Sequence, residues 1–310
     1  MGEFFMIVGL PGSGKTYLAN QIIKKASEGE TIWLSSDKIR EELYGSENEQ
    51  GDPSKVFEQM RIRTESALKE GKNVVYDACN INSKKRMAFL NNIKRLKCEK
   101  VCIICATPYP ECVRRNNQRS RVVPEDVIRR MYKNWNTPFY YEGWDQIVIQ
   151  YAEGAKESYG TAEKFVEDHM DFQQENPFHL ETLGQHLKET KEYLVGHFGC
   201  EEESNLAVAA LLHDCGKPFT KEFCDMRGNP TEIAHYAFHQ CCGAYDALFY
   251  KFENKTEDDI LEISVLVNSH MHPFGWDEEK RGEKQRKQWG EKIYQDVLKL
   301  HEADKAASHH

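Results

Sequence analysis

Gly9-Leu10-Pro11-Gly12-Ser13-Gly14-Lys15-Thr16 fills every fixed position of the phosphate-cradling pattern GxxxxGK[ST]. Glycines at 9, 12 and 14 let backbone N–H groups, that of Ser13 included, turn toward phosphate oxygens. Lys15 then reaches the β- and γ-phosphates, and the Thr16 hydroxyl ligates Mg2+. The chemistry implied is binding of a nucleoside triphosphate, ATP, with Mg2+. A second set of residues points to a different chemistry. His213 and Asp214 stand side by side at the end of an apolar run, 206–212, while His186 and Asp304 lie in separate helical patterns. A histidine–aspartate doublet closing a buried helix is costly unless something satisfies it, and a divalent cation does so. Any one of these histidines taken singly reads better as a hydrogen-bonded core or surface residue.

Three more clusters accompany the phosphate loop. Asp37 and Arg40 are three apart at a helix start and so share a face. The carboxylate can take a proton from an attacking hydroxyl and the guanidinium can fork onto an anionic acceptor. Ser35, Ser36 and Asp37 serve equally well as helix caps. Asp77 ends an apolar strand pattern, where it either serves Mg2+ through water or caps the next turn. Arg115 and Arg119 are four apart, on one helix face by spacing, and would neutralise charge on a triphosphate; a solvated basic face is the plainer alternative.

These residues must be positioned by two different architectures. Residues 1–150 alternate strand patterns (4–8, 31–34, 73–76, 100–105 and 146–149) with amphipathic stretches, which predicts a parallel sheet covered on both faces. Ligands then sit beyond the carboxyl ends of the strands. The chain turns polar and acidic over 153–176, read as a linker with some helix, and Pro177 opens the next unit. Helical patterns at 179–197, 204–214, 232–252, 257–270 and 286–304 predict an all-α second domain. The expected organisation is an α/β domain over 1–152, the linker, and an all-α domain over 177–310. Charge divides the same way. Residues 1–150 carry 24 Lys and Arg against 19 Asp and Glu, a net of +5, whereas residues 151–310 carry 17 against 31, a net of −14. All 12 histidines fall in the acidic half, which suggests metal chemistry there. The N-terminal residues lack the features of a secretory signal, no apolar stretch approaches the roughly 20 residues of a membrane span, and ten scattered cysteines suit free thiols in a reducing cytoplasm. His309 and His310 are left without a role, as a native end or a tag remnant.

From the loop to about Asn136 the chain resembles the bacteriophage-type polynucleotide 5′-kinases. The matching segments are GLPGSGKT (9–16), SDKIR (36–40), DACNINSKKR (77–86), one position out of register with the phage pattern, and VRRNNQRSRVVPEDVIRRMY (113–132). The resemblance implies a P-loop kinase domain with Lys15 and Thr16 on ATP and Mg2+, and Asp37 as general base. It implies Arg40, with Asp77, on the acceptor side, and Arg115 and Arg119 on the phosphates of ATP. Residues 177–307 resemble the HD phosphohydrolase superfamily through PFHLETLGQH (177–186), LLHDCGKP (211–218), FHQCCGA (238–244) and LHEADKAAS (300–308). That resemblance implies His186, His213, Asp214 and Asp304 around one divalent transition metal (Mn, Fe, Co, Ni or Zn). His239 and His270 match the positions that hold a second metal in binuclear members. A metal pair clamps phosphate and activates water, and Lys217 contacts substrate phosphate. His179, His197, His235, His272 and His301 are left unassigned, with ordinary core or surface roles expected for most of them.

The two resemblances together imply a bifunctional enzyme acting on nucleic-acid ends, RNA or DNA. It would add a 5′-phosphate and remove a 3′-phosphate or 2′,3′-cyclic phosphate, handing its product to a separate ligase, in the cytoplasm and away from membranes. A nucleoside or metabolite kinase fused to a nucleotide phosphohydrolase, and a nucleotide-sensing regulator, are the competing readings. Arg40 discriminates against the first, because it has a clear partner only where the acceptor carries a neighbouring phosphate.

Overall fold

The computed structural model describes residues 2–26, 29–49, 51–275 and 280–308, the side chain of Lys280 excepted; His309 and His310 lie outside the described residues. The chain divides into two compact units. The first comprises Met1–Met131 and Pro138–Ala155, the second Tyr132–Thr137 and Lys156–His310.

The first unit runs β1 (Gly2–Val8), α1 (Lys15–Lys25), β2 (Thr31–Ser35), α2 (Ser36–Tyr44), α3 (Pro53–Lys69), β3 (Asn73–Asp77), α4 (Ser83–Ile93), β4 (Cys98–Ala106), α5 (Tyr109–Asn117), α6 (Glu125–Tyr132) and β5 (Gln146–Tyr151). The five strands form one parallel sheet in the order β2-β3-β1-β4-β5. Alternation along β1 shows why helices cover both faces. Ile7 packs with Val75, Cys105 and Ala19 under Leu18, Ile22 and Ile23 of α1, while Phe4, on the other face, stacks on Phe89 of α4 with centroids 5.3 Å apart. Because β1 is central and Ile7 pairs in register with Asp77, the loop after β1 opens beside the end of β3. Ser35 pairs with Asp77 in turn, so α2 starts on the same edge.

The second unit is largely helical: α7 (Ala162–Asp168), α8 (Leu183–Phe198), α9 (Asn205–Leu212), α10 (Lys217–Thr220), a hairpin of β6 (Glu222–Cys224) and β7 (Pro230–His235), then α11 (His239–Asp246), α12 (Glu257–Ser269), α13 (Lys280–Trp289) and α14 (Glu291–Ala307). The hairpin departs from the all-α expectation and takes the first turn of the helix expected over 232–252. Its cause is local: the Asp225 carboxylate accepts from the Arg227 and Asn229 N–H groups, and Gly228 sits at φ +83°, a conformation that glycine adopts without strain. Residues 156–176, read as linker, belong to this unit; Thr161 caps α7, and Ala162 and Val166 are buried. Residues 132–137 join it too. Trp135 is fully buried there, with its indole N–H on the Thr137 hydroxyl at 3.0 Å and Thr137 on Ser264 at 2.6 Å. Thr182 and Ser204 cap α8 and α9, and Thr256 with Asp259 forms a capping box on α12, so the helices that carry the histidines have defined starts. Among the described residues no helix is long and apolar enough to cross a membrane.

Candidate functional site

Two sites emerge, one in each unit. In the first, Gly12 and Gly14 adopt φ of +82° and +97°. A Cβ at Gly12 would stand 2.2 Å from the Cys112 carbonyl oxygen, so this loop requires glycine there for packing as well as conformation. Ser13 is buried, and its Oγ has no protein partner. Lys15 donates to the Leu10 carbonyl at 2.7 Å, folded along the loop. The Thr16 hydroxyl donates to Asp77 Oδ2 at 3.2 Å, which pairs two hard oxygen donors beside the loop. That donor set fits Mg2+. Asp77 does not cap a helix, because Asn82 caps α4. Burial pushes the Asp77 carboxyl up, with Lys15 and the Thr16 hydroxyl opposing.

Asp37 and Arg40 share the first turn of α2 as their spacing requires, with Arg40 Nη1 on Asp37 Oδ1 at 2.6 Å. Ser35 holds the cap position, and Asp37 makes its contacts elsewhere. Arg121, absent from the residues singled out in the sequence, also reaches Asp37 Oδ1, at 3.1 Å. Burial raises the Asp37 carboxyl, but the Arg121 and Arg40 guanidinia outweigh it and hold the group below the ordinary carboxylate range. The shared helix face expected for Arg115 and Arg119 is not formed. Helix α5 ends at Asn117, because the buried Asn116 side chain brackets Val123 with bonds of 2.8 and 3.0 Å and turns the chain. Arg119 is exposed beyond the helix end, and Arg115 is held by Glu111 at 2.6 Å. A buried pair between Arg86 and Glu142 fixes the loop that follows β3. Arg86 Nε lies 2.7 Å from Glu142, Nη1 donates to the Asn80 carbonyl at 2.8 Å, and Asn80 Nδ2 reaches the Ile7 carbonyl at 2.8 Å.

In the second unit five helices converge on Asp214. Asp214 Oδ1 lies 3.0 Å from His239 Nε2 and 3.6 Å from His270 Nε2. Its Oδ2 lies 3.4 Å from His213 Nε2 and 3.6 Å from His186 Nε2. Asp304 Oδ1 completes the His186–His213 side at 3.2 and 3.7 Å. All six residues expected from the sequence therefore meet, with Asp214 shared between two histidine pairs. Each imidazole is aimed by its other nitrogen. Nδ1 of His213, His239 and His270 sits 2.8 Å from the carbonyls of Ala210, Tyr236 and Val267, and His186 Nδ1 lies 3.2 Å from Glu181. That is the outer support by which metal-binding imidazoles are oriented.

Within each pair the Nε2 atoms are 3.1 Å apart, His186 to His213 and His239 to His270. Bare imidazole nitrogens at that separation repel, so a proton or a cation must lie among them. Burial pulls His213 down, but Asp214 and Asp304 outweigh it and drive it up to about 10; burial leaves His270 down at about 4. Asp214 is held well below the usual range by Lys217 and His213 against the cost of burial. Neutral imidazoles and ionised carboxylates at these positions fit one or two divalent transition metals.

Lys217 Nζ sits 2.6 Å from Asp214 Oδ2, 2.6 Å from Gln174 and 3.2 Å from His179 Nε2. His179, left unassigned in the sequence, thus lines this pocket and is tied to Glu181 at 2.8 Å; burial and the Lys217 charge pull it down to about 4. Glu181 and Gln174 were missed, although Glu181 lies inside the segment PFHLETLGQH. The other histidines sit apart from this cluster. His197 is exposed beside Glu302, His301 packs edge-on against Phe274, and His272 packs against Trp289.

Residues 4–138 match the AAA_33 family model, described as "AAA domain". The L-seryl-tRNA(Sec) kinase of Methanococcus maripaludis is 28% identical over 142 residues, covering 45% of this chain and 55% of that protein. The chain thus spans about half the length of the curated relative it matches. Among solved structures, one titled "Structure of the Pnkp1/Rnl/Hen1 RNA repair complex" aligns at a TM-score of 0.38 and 18% identity, covering 42% of each chain. A gluconokinase from Sinorhizobium meliloti aligns at 0.34 and 16%, covering 48% of this chain and 82% of its own. The first unit is a P-loop domain of the kinase type. The second is a helical unit with a buried histidine–aspartate cluster.

Proposed function

We propose that the chain is a bifunctional enzyme that heals nucleic-acid ends, RNA ends foremost, with ATP-dependent 5′-hydroxyl kinase activity in the first unit and metal-dependent phosphohydrolase activity in the second. The observation that carries this reading is the pairing in one chain of a P-loop flanked by Asp37 and Arg40 with a buried histidine–aspartate cluster whose donors suit a divalent cation. Asp37, ionised between two guanidinia, suits a base that takes the proton from a 5′-hydroxyl as its oxygen attacks the γ-phosphorus and ADP leaves. Arg40 supplies a planar fork for the phosphate next to that hydroxyl, and Lys15 offsets charge on the transferred group. Arg119, exposed beyond the end of α5, is left available to an ATP phosphate.

In the second unit His186, His213, Asp214 and Asp304 would hold one cation, and His239, His270 and Asp214 another. A divalent cation there supplies Lewis-acid polarisation of a phosphate ester. The chain's own contribution is orientation: Nδ1 contacts aim the imidazoles, Asp214 joins the two sides, and Lys217 offers an ammonium to a phosphate oxygen. The products, a 5′-phosphate and a 3′-hydroxyl, are the ends a separate ligase requires.

The deciding experiment is transfer from labelled ATP to a 5′-hydroxyl RNA oligonucleotide, set against DNA and free nucleosides. Release of phosphate from 3′-phosphate and 2′,3′-cyclic ends is assayed in parallel. Transfer to nucleosides alone would leave a metabolite kinase. The similarity to L-seryl-tRNA(Sec) kinase favours a second reading, in which the hydroxyl acceptor is a group carried on tRNA, so seryl-charged tRNA belongs in the same panel.

A further inference from the structure

Between Asp77 and Glu99 the chain holds six cations and no carboxylate. Arg86 is taken up by its buried pair with Glu142. The other five, Lys84, Lys85, Lys94, Arg95 and Lys97, are exposed, and among the described residues none has an ion-pair partner. Other surface helices are built differently. Arg61 is paired with Glu58 on α3, Arg114 with Glu111 on α5, Lys164 with Asp168 on α7 and Lys287 with Glu283 on α13. This stretch contributes +6, so the rest of residues 1–150, whose net charge is +5, comes to −1. The basic character of that half is this one element.

The five cations flank α4. Lys84 and Lys85 stand in its first turn, Lys94, Arg95 and Lys97 follow its last residue, Ile93, and Ala88, Asn91 and Asn92 between them are exposed and uncharged. At 1.5 Å per residue, Lys84 and Ile93 are about 14 Å apart along α4. One strand of a duplex advances about 3.4 Å per nucleotide, so that span matches roughly four phosphates. Its near end is anchored to the P-loop strand, because Arg86 holds Asn80 and Asn80 holds the Ile7 carbonyl.

We infer that α4 and the residues just after it form a track for the sugar–phosphate backbone of the acceptor strand, whose 5′ end is presented at Asp37 and Arg40. This rests on the polynucleotide reading above. An anionic membrane is the poorer fit, since helices that lie on bilayers insert bulky apolar side chains and this surface offers only Ala88 between its cations.

The test is equilibrium binding of a fluorescein-labelled 20-nucleotide 5′-hydroxyl RNA to the full chain, followed by anisotropy at several salt concentrations and without ATP. Replacing Lys84, Lys85, Lys94, Arg95 and Lys97 together by Gln should weaken binding more than tenfold at low salt. It should also flatten the log–log salt slope by about 3, from roughly 0.7 per phosphate contact on a single strand. The Lys84→Arg, Lys85→Arg, Lys94→Arg and Lys97→Arg variant should keep both. An unchanged slope in the folded Gln variant, or tighter binding to phosphatidylserine vesicles or an acidic polypeptide than to RNA, overturns the track. The kinase reading fails separately: RNA bound through α4 but never phosphorylated would sink that reading and leave the track standing.

Discussion

On the function proposed above, the phosphate loop and the histidine pocket would handle the same kind of group with opposite materials. The loop is one contiguous segment whose shape comes from main-chain torsions at Gly12 and Gly14, and Asp37, on the neighbouring α2, stays partly open to solvent at 40% exposure. The pocket is drawn from five helices, and His186, His213 and His270 have no exposed surface. Chemistry written in the main chain can lose a side chain without losing the fold. Chemistry written in buried charged side chains cannot, because removing one partner leaves the others uncompensated, at a cost of about 3–5 kcal/mol.

Substitutions on either side of this contrast carry the largest expected effects. Lys15→Ala should cut phosphate transfer by about 10²–10³-fold or more, the scale of losing one positioned cationic or hydrogen-bonding group, with an unchanged thermal midpoint and intact 3′-phosphate hydrolysis. Asp214→Ala should abolish hydrolysis, spare transfer, and lower the midpoint, since it strands Lys217 and two histidine pairs. Loss of both activities in a folded Lys15→Ala protein would mean a composite site and dissolve the contrast.

Asp37→Ala sharpens it. General-base contributions are typically about 10²–10⁴-fold, so kcat for transfer should fall in that range while ATP affinity holds. A variant that loses thermal stability and keeps its turnover would leave Asp37 as a structural partner of Arg40 and Arg121.

The same contrast governs what could be read from the residues alone. The strand–loop–helix context of Gly9–Thr16 is local, and local pattern carries it; so do the five strands, each an apolar run in a buried parallel sheet. The meeting of His186, His213, Asp214, His239, His270 and Asp304 is non-local, and spacing alone offered only the adjacent doublet. Their grouping came from the family resemblance, carried for all but His270 by four separated segments. Arg121 was invisible because its partner lies 84 residues away in the chain, although it stands in the very arginine run that was singled out. The Arg115–Arg119 face failed for a physical reason: helical spacing presumes a continuing helix, and the Asn116 side chain ends it. The hairpin at 222–235 was lost because its second strand was read into the helical pattern over 232–252, and the turn at Asp225 and Gly228 that pairs it lies upstream of that pattern.

Metal content tests the buried side directly. With two histidine pairs meeting at Asp214, the purified chain should bind up to two transition-metal equivalents, and His239→Ala should remove one while sparing transfer. Because His213 lies up near 10 before a cation displaces its proton, loading should release protons and affinity should fall as pH is lowered. Elemental analysis with calorimetry in two buffers of different protonation enthalpy reads both. Full hydrolysis in chelator with no bound metal would remove cations from the account.

The smallest effect concerns a buried group outside both sites. Asp246, at the end of α11, receives a hydrogen bond from Tyr132, while its Oδ1 is buried and has no hydrogen-bond partner among the described residues. Burial pushes its carboxyl up to about 7, with the Tyr132 bond opposing. The folded chain therefore keeps a proton that the unfolded chain, with an ordinary aspartate near 3.9, gives up. Between about pH 4 and 7 unfolding releases that proton, so this residue erodes stability as pH rises, by at most about 1.4 kcal/mol per unit, and contributes no slope below the window. Asp246→Asn keeps an acceptor for Tyr132 and has no charge to bury. The difference in unfolding free energy, variant minus wild type, should grow from pH 4 to pH 7 and then level off; taking the difference cancels the titration of the histidine cluster. A flat difference across that range would show that Asp246 is solvated in the folded chain, and that uncompensated burial of charge is confined to the pocket around Asp214.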